Sequence, residues 1–264
     1  EKLDLMLGTE LNHINITANR DTTGYERGQA DLFRFDFDPL INKENIHFSE
    51  PIGEVLFRGR QGEYKLATYL KSFVFNNLRF DSLHANLGYS ANSGFSIADG
   101  MIQQSGNELQ FSGEFSEQAI DLEGQIDLSD YSFLALGGIR NRLSGDILSK
   151  FKIHGPSSAP RISGDLYPQN LSYDNKLTLT GEGKVDFSVV DKMLIGDVAL
   201  FGKSGFLFGD SLKSYTILGS IGSQGYAIED LHLQGTNNLV SISGKFDDQR
   251  VMINKINIIK GENQ

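Results

Sequence analysis

The chain has 264 residues, of which 29 are glycine and 18 are phenylalanine, and it contains no cysteine and no tryptophan. Abundant glycine and aromatic residues favour strands and tight turns over helices. The formal net charge of −10 argues against nucleic-acid binding, which requires a basic surface for phosphates. Without cysteine, the chain has neither disulfides nor thiolate metal sites.

The first part of the chain alternates between apolar and polar residues. Residues 2–7 and 11–17 read as a pair of strands. Residues 31–38 predict another strand, with charged residues on one face and three aromatic residues on the other, namely Phe33, Phe35 and Phe37. Such an aromatic row would be core in a closed fold, or would contact a ligand in an open groove.

Residues 107–129 form the clearest alternation in the chain. Leu109, Phe111 and Phe115 alternate with polar residues, and after a turn-like segment Ile120 and Leu122 begin a second alternating run. A period of two is typical of a strand with one dry face and one solvated face. The sequence therefore predicts a hairpin with one apolar side and one side rich in carboxylates.

The same pattern recurs later in the chain. A shift of 131 residues (244 − 113) aligns Gly113 with Gly244, and it aligns residues 87–128 with residues 218–259 as related units. We interpret these two stretches as copies of one repeated β unit. Between them, residues 131–143 contain the best helix candidate. Two adjacent glycines there disfavour a long helix, so we expect a short helix or an irregular crossing.

Short strands and frequent turn signals predict an all-β, mostly antiparallel fold with little helix. A single long sheet, curled so that its apolar face lies inside a trough, fits the alternation, and a closed β-sandwich fits it as well. The sequence has no signal peptide and opens within a strand pattern. We therefore expect residues 1–264 to form a single β segment of a larger protein.

A family resemblance is carried by residues 142–173. This stretch contains two S-G-D-(I/L) units around a short loop. It resembles a phrase found in TamB and the wider AsmA-like proteins of the Gram-negative envelope, and residues 106–115 look like that family's repeated hairpin. The matching positions in the first stretch are Gly145, Gly155, Ala159, Pro160, Ile162, Gly164, Leu166, Asn170, Leu171 and Tyr173.

The resemblance implies a repeating β-groove, or β-taco, whose hydrophobic interior carries the acyl chains of phospholipid or another lipid between the inner and outer membranes. It also implies a periplasmic location and a role in outer-membrane biogenesis, as in the translocation and assembly module. A membrane-anchored parent chain and an outer-membrane partner would lie outside this segment. The family is not enzymatic, and the resemblance implies neither a cofactor nor a metal.

In such a groove, the apolar side chains of the alternating runs would form the lining. We expect these residues to be Leu109, Phe111, Phe115, Ile120, Leu122, Ile126, Leu128, Phe151, Ile153, Ile162, Leu166, Leu177, Leu179, Val185, Phe187, Val240, Ile242, Phe246, Val251 and Ile253.

Catalytic patterns are weak throughout the chain. Residues 202–204 (G-K-S) lack the rest of a phosphate-binding loop, because the preceding glycine is Gly196 and no helix pattern follows. Carboxylates spaced like Asp121 and Glu123 share the polar face of a strand rather than flanking a substrate. We predict a non-catalytic lipid-binding module. The alternatives are a structural β-sandwich, solenoid or adhesin-type domain with a closed core, and a carbohydrate-binding or carbohydrate-active scaffold, which the absence of tryptophan disfavours.

Overall fold

The computed structural model of the chain describes residues 2–36, 47–76, 78–131, 143–191, 193–207, 210–222, 225–236, 238–246 and 251–260. Every regular element in these ranges is a β-strand. The strands are β1 (Lys2–Gly8), β2 (His13–Arg20), β3 (Glu26–Phe33), β4 (Phe48–Arg60), β5 (Glu63–Phe75), β6 (Leu78–Phe80), β7 (Ser82–Ser90), β8 (Gly94–Gln104), β9 (Asn107–Phe115), β10 (Ala119–Leu128), β11 (Leu143–Pro156), β12 (Arg161–Tyr173), β13 (Leu177–Val190), β14 (Met193–Leu207), β15 (Asp210–Gly222), β16 (Gly225–Gly235), β17 (Asn238–Phe246) and β18 (Val251–Lys260). Within the same ranges, no helix is long and apolar enough to span a membrane.

The strands form an antiparallel meander in which neighbours in sequence pair with each other, from β1 with β2 to β17 with β18. The short β6 is a side branch, because β6 and β7 both pair with β5. No ladder between described residues joins β1 to β18, so the sheet is open rather than closed into a barrel. The prediction of an all-β fold built on one long antiparallel sheet with little helix is confirmed.

The chain divides into two compact units, Glu1–Gly124 (unit 1) and Gln125–Gln264 (unit 2). The division into two compact units does not test the prediction that residues 1–264 form a single β segment of a larger protein. That prediction stays a prediction. The crossing expected at residues 131–143 falls mostly on residues 132–142, which lie outside the described residues.

One face of the sheet in unit 1 is apolar. Directly paired residues of an antiparallel ladder point to the same face, so a row can be followed from strand to strand. The row at the centre of this face consists of Ile14, Leu32, Gly53, Leu70, Leu83, Ile102 and Leu109. Ile14, Leu32 and Leu70 are buried together with Phe73 and form the core of the unit. We call this side the apolar face of unit 1.

Unit 2 has an apolar face built in the same way. Its longest row crosses seven strands, from β12 to β18, and consists of Leu166, Gly183, Leu200, Ile217, Leu231, Ile242 and Ile256. Beside this row, Leu179, Leu212, Tyr215 and Leu233 form the buried core of the unit. We call this side the apolar face of unit 2.

Aromatic rings cover glycine residues of neighbouring strands on both apolar faces. In unit 1, a Cβ atom on Gly28 would lie 2.5 Å from Cζ of Phe57, which pairs with Gly28 across the ladder. In unit 2, a Cβ atom on Gly202 would overlap the ring of its partner Tyr215. The glycines therefore let large rings lie flat against the backbone, which shields these ladder hydrogen bonds from water.

The aromatic row predicted at the end of β3 is not present as predicted. β3 ends at Phe33, and Arg34 has a positive φ of 52°, which interrupts the strand alternation. Phe33 pairs with His13 and stacks on its ring at 5.7 Å, on the face opposite the core, whereas Phe35 packs against the core of unit 1. The prediction that Phe33 and Phe35 share a face is therefore wrong. Phe37 lies outside the described residues.

Candidate functional site

The apolar face of each unit is the candidate site, because it gathers the residues predicted to line a groove. In unit 1, β9 presents Leu109, Phe111 and Phe115 to this face, where each pairs with a residue of β8. A Cβ atom on Gly113 would lie 2.8 Å from Cα of Leu122, so β10 places Leu122 next to β9 on the same face. Ile120 lies two residues before Leu122 in the same strand and is half-buried.

In unit 2, the ladders bring most of the other predicted residues together. Phe151 and Val185 both pair with Gly164, and Ile162 pairs with Ile153 on one side and Phe187 on the other. The remaining predicted residues of unit 2 with described side chains are Leu166, Leu177, Leu179, Val240, Ile242 and Ile253 on this face and Ile126 and Leu128, which are half-buried in β10. Phe246 and Val251 pair with each other in the ladder, and their side chains lie outside the described part of the chain.

Several residues at the centre of these faces were missed by the sequence prediction. In unit 1 they include Leu66 and Leu70 of β5, and in unit 2 they include Leu212, Tyr215 and Leu233. The signal that could have found them is the same alternation, since Tyr64, Leu66, Thr68 and Leu70 follow one another at a spacing of two in β5.

Large apolar side chains on these faces remain accessible to solvent. In unit 1, Phe95 and Phe115 stack with their ring centroids 4.9 Å apart, yet they are 39% and 36% exposed. In unit 2, the exposed side chains include Ile253, Ile256 and Ile258 of β18. A closed core would bury such residues, so these parts of the apolar faces have no covering layer of described protein.

The total accessible surface is large for this mass. The chain exposes 17205 Å². A compact monomer of 29.2 kDa exposes about 11,500 Å², and two separate compact bodies of half that mass would expose about 13,800 Å². The total exceeds both values.

Among the residues that the structure describes, charged side chains lie at the margins of the apolar faces and on the opposite face of the sheet. The two apolar rows described above contain no ionisable side chain. At the margin of unit 1, the Tyr64 hydroxyl donates a hydrogen bond of 3.1 Å to Glu26, which raises the pKa of Tyr64. On the opposite face of unit 2, Arg161 donates from Nε to Oδ1 of Asp186 over 2.7 Å and forms a second bond through its terminal nitrogen, which lowers the pKa of Asp186.

The apolar faces therefore offer burial without directional chemistry. Among the described residues, no three histidine, aspartate or glutamate side chains form a group that could hold a metal ion. Burial and dispersion are non-directional, so these faces would select a ligand by its apolar area and length rather than by its polar groups.

Comparison of the chain with family models, with curated proteins and with solved structures gives no match. The resemblance to TamB and the AsmA-like proteins therefore stays a prediction.

Proposed function

We propose that the apolar faces of this chain bind the acyl chains of lipids, and that the segment conducts phospholipid or a similar lipid across the periplasm between the inner and outer membranes. The observation that carries the proposal is the pair of charge-free apolar rows, which cross seven strands in each unit. No separate sheet or helix among the described residues lies over these rows, although neighbouring apolar side chains bury Ile14, Leu32 and Leu70 in the row of unit 1.

The dimensions of these rows suit an acyl chain. Strands are spaced at about 4.8 Å, so the row from Leu166 to Ile256 is about 29 Å long across its seven strands. Half of a bilayer core, the space that one acyl chain fills, is about 15 Å thick. Each methylene group removed from water contributes about 0.8 kcal/mol, so an acyl chain lying along part of this row would be held firmly without any polar contact.

The wider role in this proposal depends on the sequence resemblance at residues 142–173. That resemblance implies a membrane-anchored parent protein with an outer-membrane partner, acting without catalysis in outer-membrane biogenesis. The open sheet supports that role, because a meander can be extended strand by strand while keeping one apolar face. The alternative is a structural β scaffold whose apolar faces are closed by protein contacts.

Site-specific photocrosslinking distinguishes lipid binding from a protein-filled core. A photoreactive residue placed at Leu122 in unit 1 or at Ile242 in unit 2 faces the apolar side, whereas the adjacent positions Glu123 and Ser241 face the opposite side. After expression in a Gram-negative host, we expect lipid adducts from Leu122 and Ile242 and far fewer from the two adjacent controls. Native mass spectrometry of the unmodified protein should show co-purified lipid.

A charged side chain within the longest row of unit 2 should remove this lipid. Ile217 lies in the middle of that row, and its neighbour Thr216 points to the opposite face. We expect Ile217→Glu to lose the lipid that unit 2 binds and Thr216→Glu to retain it. Circular dichroism should show that both variants are folded. Absence of lipid from the unmodified protein, or adducts that join two copies of the chain instead of chain to lipid, would contradict the proposal.

A further inference from the structure

Three cations form a row on the face of unit 1 opposite its apolar face. Arg27 pairs directly with Arg58, and Arg58 pairs directly with Lys65, across β3, β4 and β5. Side chains paired in this way start about 5 Å apart, and like charges at that separation repel each other. All three are exposed, and none forms a hydrogen bond or an ion pair with another described residue. Arg27 interacts electrostatically with Asp21, but no carboxylate among the described residues pairs with Arg58 or Lys65. The row is therefore unfavourable unless an anion binds to it.

The same three cations line a concave site of about 970 Å³. That volume lies within the range of small-molecule sites, about 300–1,000 Å³. Asp99 is the single carboxylate of the lining, and it already accepts a hydrogen bond of 2.8 Å from Asn86. The balance of charge in the site is therefore positive, in a chain whose formal net charge is −10.

Neutral donors complete the site. Asn19 pairs with Arg27, and its side chain extends the row by one strand. At the other end Lys65 pairs with Gly88, and a Cβ atom on Gly88 would overlap Oγ of Ser96. The missing side chain at Gly88 lets the Ser96 hydroxyl lie beside the cations. No hydrogen bond within the described residues occupies that hydroxyl.

We propose that this site, the Arg27–Arg58–Lys65 row with Asn19 and Ser96, binds a phosphate group. Guanidinium groups match the oxygens of phosphate in pairs of parallel hydrogen bonds, and lysine adds a mobile charge at the third position. A phosphate group bound there would replace the repulsion within the row by attraction to a shared anion. Because the site is concave, an anion bound in it would contact side chains from more than one strand.

The proposal is independent of lipid binding on the apolar face of unit 1. The cations project from the opposite side of the same strands, so the head group of a lipid lying on the apolar face would be separated from them by the sheet. The phosphate group therefore belongs either to a free anion or to a lipid surface that contacts this outer side.

The test is a titration of the whole ¹⁵N-labelled chain with sodium phosphate and sodium pyrophosphate, at an ionic strength kept constant with sodium chloride. We expect saturable shifts of the Gly88 and Ser96 amide signals. Arg58→Gln should weaken binding at least tenfold, because it removes the central cationic donor of the row. The matched control is Lys184→Gln on the equivalent face of unit 2, where Lys184 pairs with Asp165. This variant should leave the affinity unchanged.

A second arm identifies the source of the phosphate group. Vesicles of phosphatidylcholine with and without phosphatidic acid are sedimented with the wild-type chain, Arg58→Gln and Lys184→Gln. Binding to soluble phosphate supports a free anion. Binding to phosphatidic acid vesicles alone, lost in Arg58→Gln, supports a lipid head group. Two results would overturn the proposal. One is that the titration shows no saturable phosphate binding that Arg58→Gln weakens and Lys184→Gln leaves unchanged. The other is that the chain forms a dimer at low salt through these cations. In that case Arg58→Gln would abolish the dimer, and phosphate would act only by dissociating it.

Discussion

The hairpins β8–β9 and β16–β17 have matching strand bounds in the two units. Their bounds, Gly94–Gln104 with Asn107–Phe115 and Gly225–Gly235 with Asn238–Phe246, differ by 131 residues throughout. Their ladders also break at the same place, since the register shifts between Ile97 and Gly100 in the first and between Ile228 and Leu231 in the second. Within the two stretches that the sequence predicted as related units, these hairpins therefore share strand length, register and bulge.

Over six strands, rows of directly paired residues on the polar faces behind these hairpins carry net charges of opposite sign. Ser96 in unit 1 corresponds to Ala227 in unit 2, and each belongs to a row of directly paired residues. The row in unit 1 is Arg27, Arg58, Lys65, Gly88, Ser96 and Glu114, and the row in unit 2 is Ser163, Asp186, Asp197, Ser220, Ala227 and Lys245. The comparison teaches that the backbone and the apolar pattern specify the fold, while the polar face can take either sign of charge.

The largest difference that we expect between the copies is at their matched glycines. Gly113 has a φ of +134°, and a Cβ atom there would overlap the carbonyl oxygen of Asp121. At Gly244 no positive φ is needed, and the corresponding oxygen, of Met252, would be 2.7 Å away. We expect Gly113→Ala to lower the free energy of unfolding by about 3 kcal/mol and Gly244→Ala by about 1 kcal/mol, because strain adds to overpacking only at Gly113. Urea unfolding followed by circular dichroism measures both.

A control for this pair is Gly222, where an added Cβ atom would meet nothing within 4 Å. Gly222→Ala should change the free energy of unfolding by no more than a few tenths of a kcal/mol. Equal losses for Gly113→Ala and Gly244→Ala would show that the two hairpins do not differ in backbone strain.

A smaller effect separates two buried tyrosines of unit 2. The Tyr131 hydroxyl donates to the carbonyl oxygen of Gly145 at 3.1 Å, whereas the Tyr215 hydroxyl is buried without a partner among the described residues. We expect Tyr131→Phe to lower the free energy of unfolding by about 1 kcal/mol, and Tyr215→Phe to leave it unchanged or raise it. Urea unfolding at pH 7 checks both, and a loss in Tyr215→Phe as large as that in Tyr131→Phe would contradict the contrast.

Alkaline pH gives a second test of Tyr131. Burial, with a contribution from the charges of Asp146 and Asp127, raises its pKa from 10.0 to about 12. The unfolded state therefore releases this proton first, and the free energy of unfolding should fall as the pH rises from about 10 to about 12. The Tyr131→Phe variant should lack this decrease in the free energy of unfolding. The Tyr226→Phe variant, changed at an exposed position, should show the same decrease as the unmodified protein.

The apolar faces could be predicted from sequence because strand alternation is a local property. Leu109 and Phe111 in β9 and Val185 and Phe187 in β13 lie where a period of two places them. The same rule failed at Phe35, since one residue with positive φ, Arg34, places Phe35 on the face opposite to that of Phe33. Nothing in the composition around Arg34 marks that conformation.

The row of cations could not be predicted, because it depends on register between strands. Arg27, Arg58 and Lys65 are 31 and 7 residues apart in sequence and belong to different alternating runs. Their alignment follows from the two-residue turn between β4 and β5 and from the register of β3 against β4, which the sequence pattern does not determine. For the same reason the sequence predicted the polar face only as solvated.

The smallest predicted effect concerns the opposite charges of the two polar faces. In phosphate-free buffer at low salt, Arg58→Gln should raise the free energy of unfolding by roughly 0.2–1 kcal/mol, because it removes repulsion between paired cations. In unit 2, Arg161→Gln should lower it, because Arg161 offsets the pairing of Asp186 with Asp197. Both effects should vanish in 1 M sodium chloride, where the Debye length is about 3 Å. Calorimetric unfolding at the two salt concentrations measures them.

If Arg58→Gln destabilised unit 1 without phosphate, the Arg27–Arg58–Lys65 row would already have a compensating partner within the chain, and the case for an external anion would be lost.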